Sequence, residues 1–198
     1  DYCFYKNRAP EVGSGHQRMT TRVLEKMTRD YLSLGFPVAS FSWQGGEPTL
    51  MGLDFYKQVI ELQSKHAVSN QQITNALQTN GLLLTGRNWC KFLHESDFLV
   101  GISIDGPKEL HDYYRHDLAG HGTFDRIMKA IENCKEHEVK FNTLTLLNDK
   151  NVQYPDLLFD FFVDNGISYL QFIPCIETNP STGQIADFSI TPEQYGQF

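Results

Sequence analysis

Val38-Ala39-Ser40-Phe41-Ser42-Trp43 alternates apolar and small residues and runs into Gln44-Gly45-Gly46-Glu47-Pro48. Alternation that stops at a glycine turn is the pattern of a β-strand ending in a tight bend. This stretch decides the fold because the same unit recurs along the chain. Further strands are predicted over residues 72–78, closing on Thr79-Asn80-Gly81; over 98–104, closing on Asp105-Gly106-Pro107; over 139–147; and over 168–174, closing on Cys175. Apolar residues at helical spacing predict helices over 19–34, with Gly35 as a stop, and over 53–66, 88–95, 123–137 and 152–165. Five strands separated by helices are the signature of a parallel α/β sheet built from βα units. The apolar run Phe98-Leu99-Val100-Gly101-Ile102 suits a sheet covered on both faces.

With 198 residues, 40% of them hydrophobic and 21% charged, the chain is long enough for a sizeable core, and no linker divides it, so residues 1–198 read as one domain. The 24 acidic residues outnumber 17 basic ones, and no basic cluster is available to neutralise a phosphate backbone, which argues against a nucleic-acid partner. No run approaches the ~18 apolar residues of a membrane span, and no secretory leader is visible, so a cytoplasmic location is expected. Cysteines at 3, 90, 134 and 175 are too irregularly spaced for a disulfide framework. Cys90 and Cys134 sit in helices among apolar neighbours and read as packing residues. At the far end, Thr191-Pro192-Glu193-Gln194 reads as a helix start, with a capping residue and a proline in the first turn. The opening at Asp1 and the close at Phe198 read as a core cut at both ends.

The residues that carry chemistry fall where predicted strands end, the edge at which parallel α/β proteins bind ligands. Gly45-Gly46-Glu47 offers bare backbone and one carboxylate to an ammonium group, or else forms a turn with a solvated glutamate. Ser103 and Asp105 suit a sugar or carboxylate ligand, or else a turn capped by Asp105. Arg115, beside His111, Asp112 and His116, suits a ligand carboxylate, or else is solvated. Cys3 alone reads as a small buried hydrophobe; a Cys-x-x-Cys partner for a cluster would fall just before Asp1. The histidines lack a metal spacing, and no P-loop, GxGxxG or GxSxG is present.

In this order, Tyr2-Cys3-Phe4-Tyr5, Gln44-Gly45-Gly46-Glu47-Pro48-Thr49-Leu50, Leu77-Gln78-Thr79-Asn80-Gly81, Gly101-Ile102-Ser103-Ile104-Asp105-Gly106-Pro107 and Leu170-Gln171-Phe172-Ile173-Pro174-Cys175 resemble the radical S-adenosylmethionine (SAM) enzymes, above all the anaerobic sulfatase-maturating family. The resemblance implies a partial (β/α)6 TIM-like barrel whose first strand and first two cluster cysteines precede Asp1. It also implies a 4Fe-4S cluster and S-adenosylmethionine as cofactors. Cys3 matches a cluster ligand; Tyr2, Gly46, Ser103, Arg115 and Ile176 match cofactor contacts; Tyr5 and Gln44 match positions near the target residue. The implied activity is oxidation of a sulfatase cysteine or serine to Cα-formylglycine, begun by hydrogen abstraction with a 5'-deoxyadenosyl radical. An electron donor such as flavodoxin or ferredoxin would feed it, and the general base would lie beyond Phe198, in a longer protein with an auxiliary-cluster domain. Two alternatives stand beside this: another peptide maturase of the same build, and a catalytically silent fragment.

Overall fold

The computed structural model describes residues 18–179 and 181–198. Helix α1 (Thr21–Leu32) starts where the Thr20 hydroxyl accepts a hydrogen bond from the Val23 amide at 3.3 Å, and it buries Leu24, Thr28 and Leu32 four residues apart. Gly35, at φ 70°, turns the chain out of the helix toward β1. The elements that follow are β1 (Val38–Trp43), a 3-10 turn (Pro48–Met51), α2 (Leu53–His66), β2 (Gln72–Thr79), α3 (Arg87–Glu95), β3 (Phe98–Ser103), α4 (Lys108–Tyr114), α5 (Phe124–Glu136), β4 (Phe141–Leu147), α6 (Pro155–Asp164), β5 (Leu170–Pro174) and α7 (Pro192–Gln197).

The five strands are all parallel and lie side by side in chain order. Parallel crossovers are right-handed, so a sequential order carries every connecting helix to the same face. The result is part of a (β/α) barrel, as the βα repeat predicts. Alternate residues separate its two faces: Ala39, Phe41 and Trp43 of β1 are buried under the helices, while Val38, Ser40 and Ser42 are exposed on the other side. The expectation of a sheet covered on both faces is corrected here. In β3 the outward Phe98, Val100 and Ile102 are fully buried, yet Leu99 between them is 49% exposed on the concave face.

The helix-side core carries a buried polar tie between strands and helix. Asn75 Oδ1 accepts from Trp43 Nε1 at 3.0 Å and from Gln63 Nε2 at 2.9 Å, and Asn75 Nδ2 donates to Gln63 Oε1 at 2.8 Å, joining β1, β2 and α2. Cys90 and Cys134 are buried with sulfurs 3.9 Å apart, packing residues as expected.

Element ends depart from the predicted ones for local reasons. The fourth strand starts at Phe141, two residues late, because Glu138 takes φ 54° and the Val139 amide still bonds to the Cys134 carbonyl at 2.9 Å. Helix α6 starts at Pro155 because Asn148 and Asn151 hold the preceding residues in turns, and proline suits a first helical turn. Helix α7 has the capping box read from Thr191 and Gln194. Helix α4 was not expected, since its seven residues show too little apolar periodicity to stand out. Among the described residues, no helix is long and apolar enough to cross a membrane.

Candidate functional site

Tyr2, Cys3 and Tyr5 lie outside the described residues. The other five predicted positions, Gln44, Gly46, Ser103, Arg115 and Ile176, border a single cavity of about 860 Å³ at the C-terminal ends of the strands, with Cys175 beside them. Parallel register accounts for the convergence. Trp43 pairs with Leu77, Thr79 with Ile102, Ser103 with Leu144 and Leu147 with Pro174, so the residues that follow each strand emerge on one rim.

At the end of β1 the chain turns through Gly45 (φ 119°) and Gly46 (φ 53°), conformations that L-residues rarely take. A Cβ built on Gly46 would meet nothing within 4 Å, so its backbone faces open space. Glu47 does not behave as the solvated glutamate that its turn context allowed. Its Oε1 accepts from the Thr49 amide (3.0 Å) and hydroxyl (2.5 Å) and from the Thr79 hydroxyl (2.7 Å), while Oε2 accepts from the Asn80 amide at 2.8 Å. The carboxylate thereby ties the glycine turn to the end of β2 and holds the bare backbone in place.

Ser103, the last residue of β3, accepts from Gln78 Nε2 at 3.3 Å. Gly101 makes room for that Gln78 side chain, since a Cβ there would come within 2.3 Å of Gln78 Oε1 and 2.7 Å of Leu144 Cδ1. A glycine in mid-strand is the trace of this close approach.

Asp105 and Arg115 form the electrostatic centre of the site. Arg115 Nε donates to Asp105 Oδ2 at 2.6 Å and Nη2 to Oδ1 at 3.2 Å, a two-pronged contact to a carboxylate that is fully buried. The Leu146 amide of β4 also donates to Asp105 Oδ1, at 3.1 Å. Arg115 is therefore not a solvated arginine: its side chain is only 20% exposed and is held at the cavity wall.

His111, fully buried on α4, accepts at Nδ1 from the Asp105 amide at 3.2 Å. Its hydrogen therefore sits on Nε2, which lies 3.0 Å from Thr123 Oγ1, and the Thr123 hydroxyl donates to the Arg115 carbonyl at 3.1 Å. Burial first, and then the Arg115 charge, push the imidazole down to about 4, so it is neutral at pH 7. Asn151 Nδ2 donates to the Asp105 carbonyl (3.1 Å) and the Leu146 carbonyl (2.9 Å), bracing the ends of β3 and β4 together. Composition and spacing did not single out Thr123 or Asn151. For Asn151 a signal existed: Asn148-Asp149-Lys150-Asn151 directly after a strand is a side-chain-capped turn pattern. Cys175 borders the cavity as a protonated thiol, because burial pushes it up to about 12. Ile176 beside it is 69% exposed.

The rim thus presents bare backbone, a hydroxyl, a guanidinium and an apolar side chain around one opening. A family model described as the Radical SAM superfamily matches residues 1–162. The chain belongs to the radical SAM superfamily. Members of that superfamily use a 4Fe-4S cluster and S-adenosylmethionine. The chain is 38% identical to the serine-type anaerobic sulfatase-maturating enzyme of Bacteroides thetaiotaomicron, with all of this chain matched to 51% of that protein. It is 37% identical to the cysteine-type enzyme of Clostridium perfringens, with all of this chain matched to 53% of it. A solved structure, native anSMEcpe with bound AdoMet and Kp18Cys peptide, superposes with a TM-score of 0.89 at 38% identity, covering all of this chain and 53% of that one. This radical SAM chain therefore spans about half the length of the curated relatives it matches.

Proposed function

We propose that this chain is the S-adenosylmethionine-binding core of an enzyme that oxidises a cysteine or serine of a sulfatase polypeptide to Cα-formylglycine. The observation that carries the reading is the convergence of Gly46, Ser103, Arg115 and Ile176, matched from four separate segments, on one cavity. Its volume lies in the range of small-molecule and cofactor sites.

The described residues fit the nucleoside cofactor. The bare backbone at Gly45–Gly46 would receive the methionyl ammonium, Arg115 the carboxylate, Ser103 the ribose and Ile176 the adenine face. Cys3, outside the described residues, would hold the cluster with thiolates from further upstream. Bound together, cluster and cofactor supply one-electron cleavage of a sulfonium and abstraction of a hydrogen atom from the substrate. The protein's share is orientation: Glu47 fixes the ammonium-facing turn and Asp105 fixes the guanidinium. The sulfatase-maturating relatives and the peptide-bound neighbour support a peptide as the second substrate. For the reductant we propose flavodoxin or ferredoxin.

The test uses full-length protein carrying the upstream cysteines. After anaerobic iron-sulfur reconstitution it should show 4Fe-4S absorption and paramagnetic resonance signals, and the resonance signal should change when S-adenosylmethionine is added. Mass spectrometry of a sulfatase peptide should then show the mass loss of formylglycine. A full-length protein that binds no cluster would sink the enzyme reading; an unmodified sulfatase peptide from loaded protein would point to a different peptide substrate.

A further inference from the structure

Arg115 is fixed at both ends by one closed circuit. The Asp105 amide donates to His111 Nδ1, His111 Nε2 to Thr123 Oγ1, and the Thr123 hydroxyl to the Arg115 carbonyl, while the Arg115 guanidinium returns to the Asp105 carboxylate. Each donor dictates the next, because an imidazole that accepts at one nitrogen must donate from the other, and a hydroxyl has one hydrogen to give. The direction is therefore fixed from the Asp105 amide to the Arg115 carbonyl, and the return contact is fixed separately, because a guanidinium can only donate and a carboxylate only accept. Asp105, His111 and Thr123 are all buried, so water does not compete for these bonds.

From this geometry we infer that His111 and Thr123 are positioning residues for Arg115, setting its guanidinium to receive the carboxylate of the adenosyl cofactor. The inference rests on the cofactor site proposed above. An arginine side chain loses considerable rotamer freedom when a ligand immobilises it. A circuit that grips its backbone carbonyl through Thr123 and its guanidinium through Asp105 removes that freedom before the ligand arrives, so binding does not have to. Packing alone would be served by an apolar residue at 123. The hydroxyl at that position, joining α4 to the start of α5 through His111 and Arg115, is what an orienting role requires.

The experiment compares two probes on full-length, cluster-loaded protein kept oxidised so that no cleavage occurs: S-adenosylmethionine, and decarboxylated S-adenosylmethionine, which keeps the ammonium, sulfonium, ribose and adenine. Titration calorimetry should show Thr123→Val weakening S-adenosylmethionine about tenfold, the scale of one hydrogen bond to a charged group. The decarboxylated probe should bind the variant as it binds the wild type, and Thr123→Ser should restore the preference. A Thr123→Val loss shared equally by both probes, or no loss with either, overturns the inference. A wild type that binds both probes equally removes the carboxylate role of Arg115 itself, a failure distinguishable from that of the circuit. If Thr123→Val does not fold, His111→Asn carries the same comparison, since its Oδ1 keeps an acceptor for the Asp105 amide while its shorter side chain no longer places an N–H at the Nε2 position facing Thr123.

Discussion

Acid should destabilise the strand-end site through His111. Its imidazole is fully buried, with Arg115 and His116 opposing protonation and Asp105 and Asp112 favouring it, and the balance lowers it from 6.5 to about 4. The unfolded chain binds a proton near 6.5, whereas the folded chain refuses it until about 4. Stability from this group is thus complete above the unfolded value, falls as pH drops through the window, and is gone below the folded value. Each pH unit across the window is worth about 1.36 kcal/mol, so the total is about 3 kcal/mol, a large fraction of a typical domain's stability. Urea unfolding at pH 7, 5.5 and 4.5 should reveal it. The wild type should lose about 1.4 kcal/mol per pH unit more than His111→Asn within the window, even though the variant is weaker at pH 7. Nitrogen-resolved NMR of the ring should show the Nε2-protonated tautomer persisting below pH 5. Parallel pH profiles for the two proteins, or a ring that titrates near 6.5, would refute the reasoning.

Three further outcomes are expected. Gly46→Ala imposes a left-handed backbone on alanine at a cost of about 1 kcal/mol, and its methyl enters open space; S-adenosylmethionine affinity should fall by more than the melting temperature suggests, and unchanged affinity by calorimetry would contradict the assigned backbone contact. Asn75→Ala strands Trp43 Nε1 and the Gln63 amide, with each orphaned buried group costing about 1–3 kcal/mol; a denaturant midpoint that barely moves would show that the tie is not holding β1 and β2 to α2. Gly106→Ala places a methyl 2.3 Å from Leu158 Cδ2 at φ 115°, and strain with overpacking should cost about 2–5 kcal/mol. Gly35→Ala, also at positive φ but in open space, should cost far less in the same denaturation series.

Strand ends at Trp43 and Pro174 and the bounds of α2 were legible because residue periodicity and turn residues are local signals. Helix α4 was not, since its inward side chains are few and one of them, His111, is a polar residue buried by contacts with distant partners. The same limit applied to the alternatives left open at each motif. Nothing local to Glu47 tells a solvated carboxylate from one accepting bonds from Thr79 and Asn80, some 30 residues away. Arg115 likewise reads as a surface charge until β3 brings Asp105 beneath it.

By itself the sequence determined the βα repeat, the parallel sheet, the glycine turn after β1 and, through ordered motifs, the superfamily. These depend on residue type and spacing along the chain. Only the tertiary structure decided that the helices cover one face, that Glu47 is a tie and not a free acid, and that Asp105, His111, Thr123 and Arg115 close into one circuit. Those facts depend on which side chains meet across strands: the His111 imidazole acquires its charge state, and the Glu47 carboxylate its role, from the groups that fold around it.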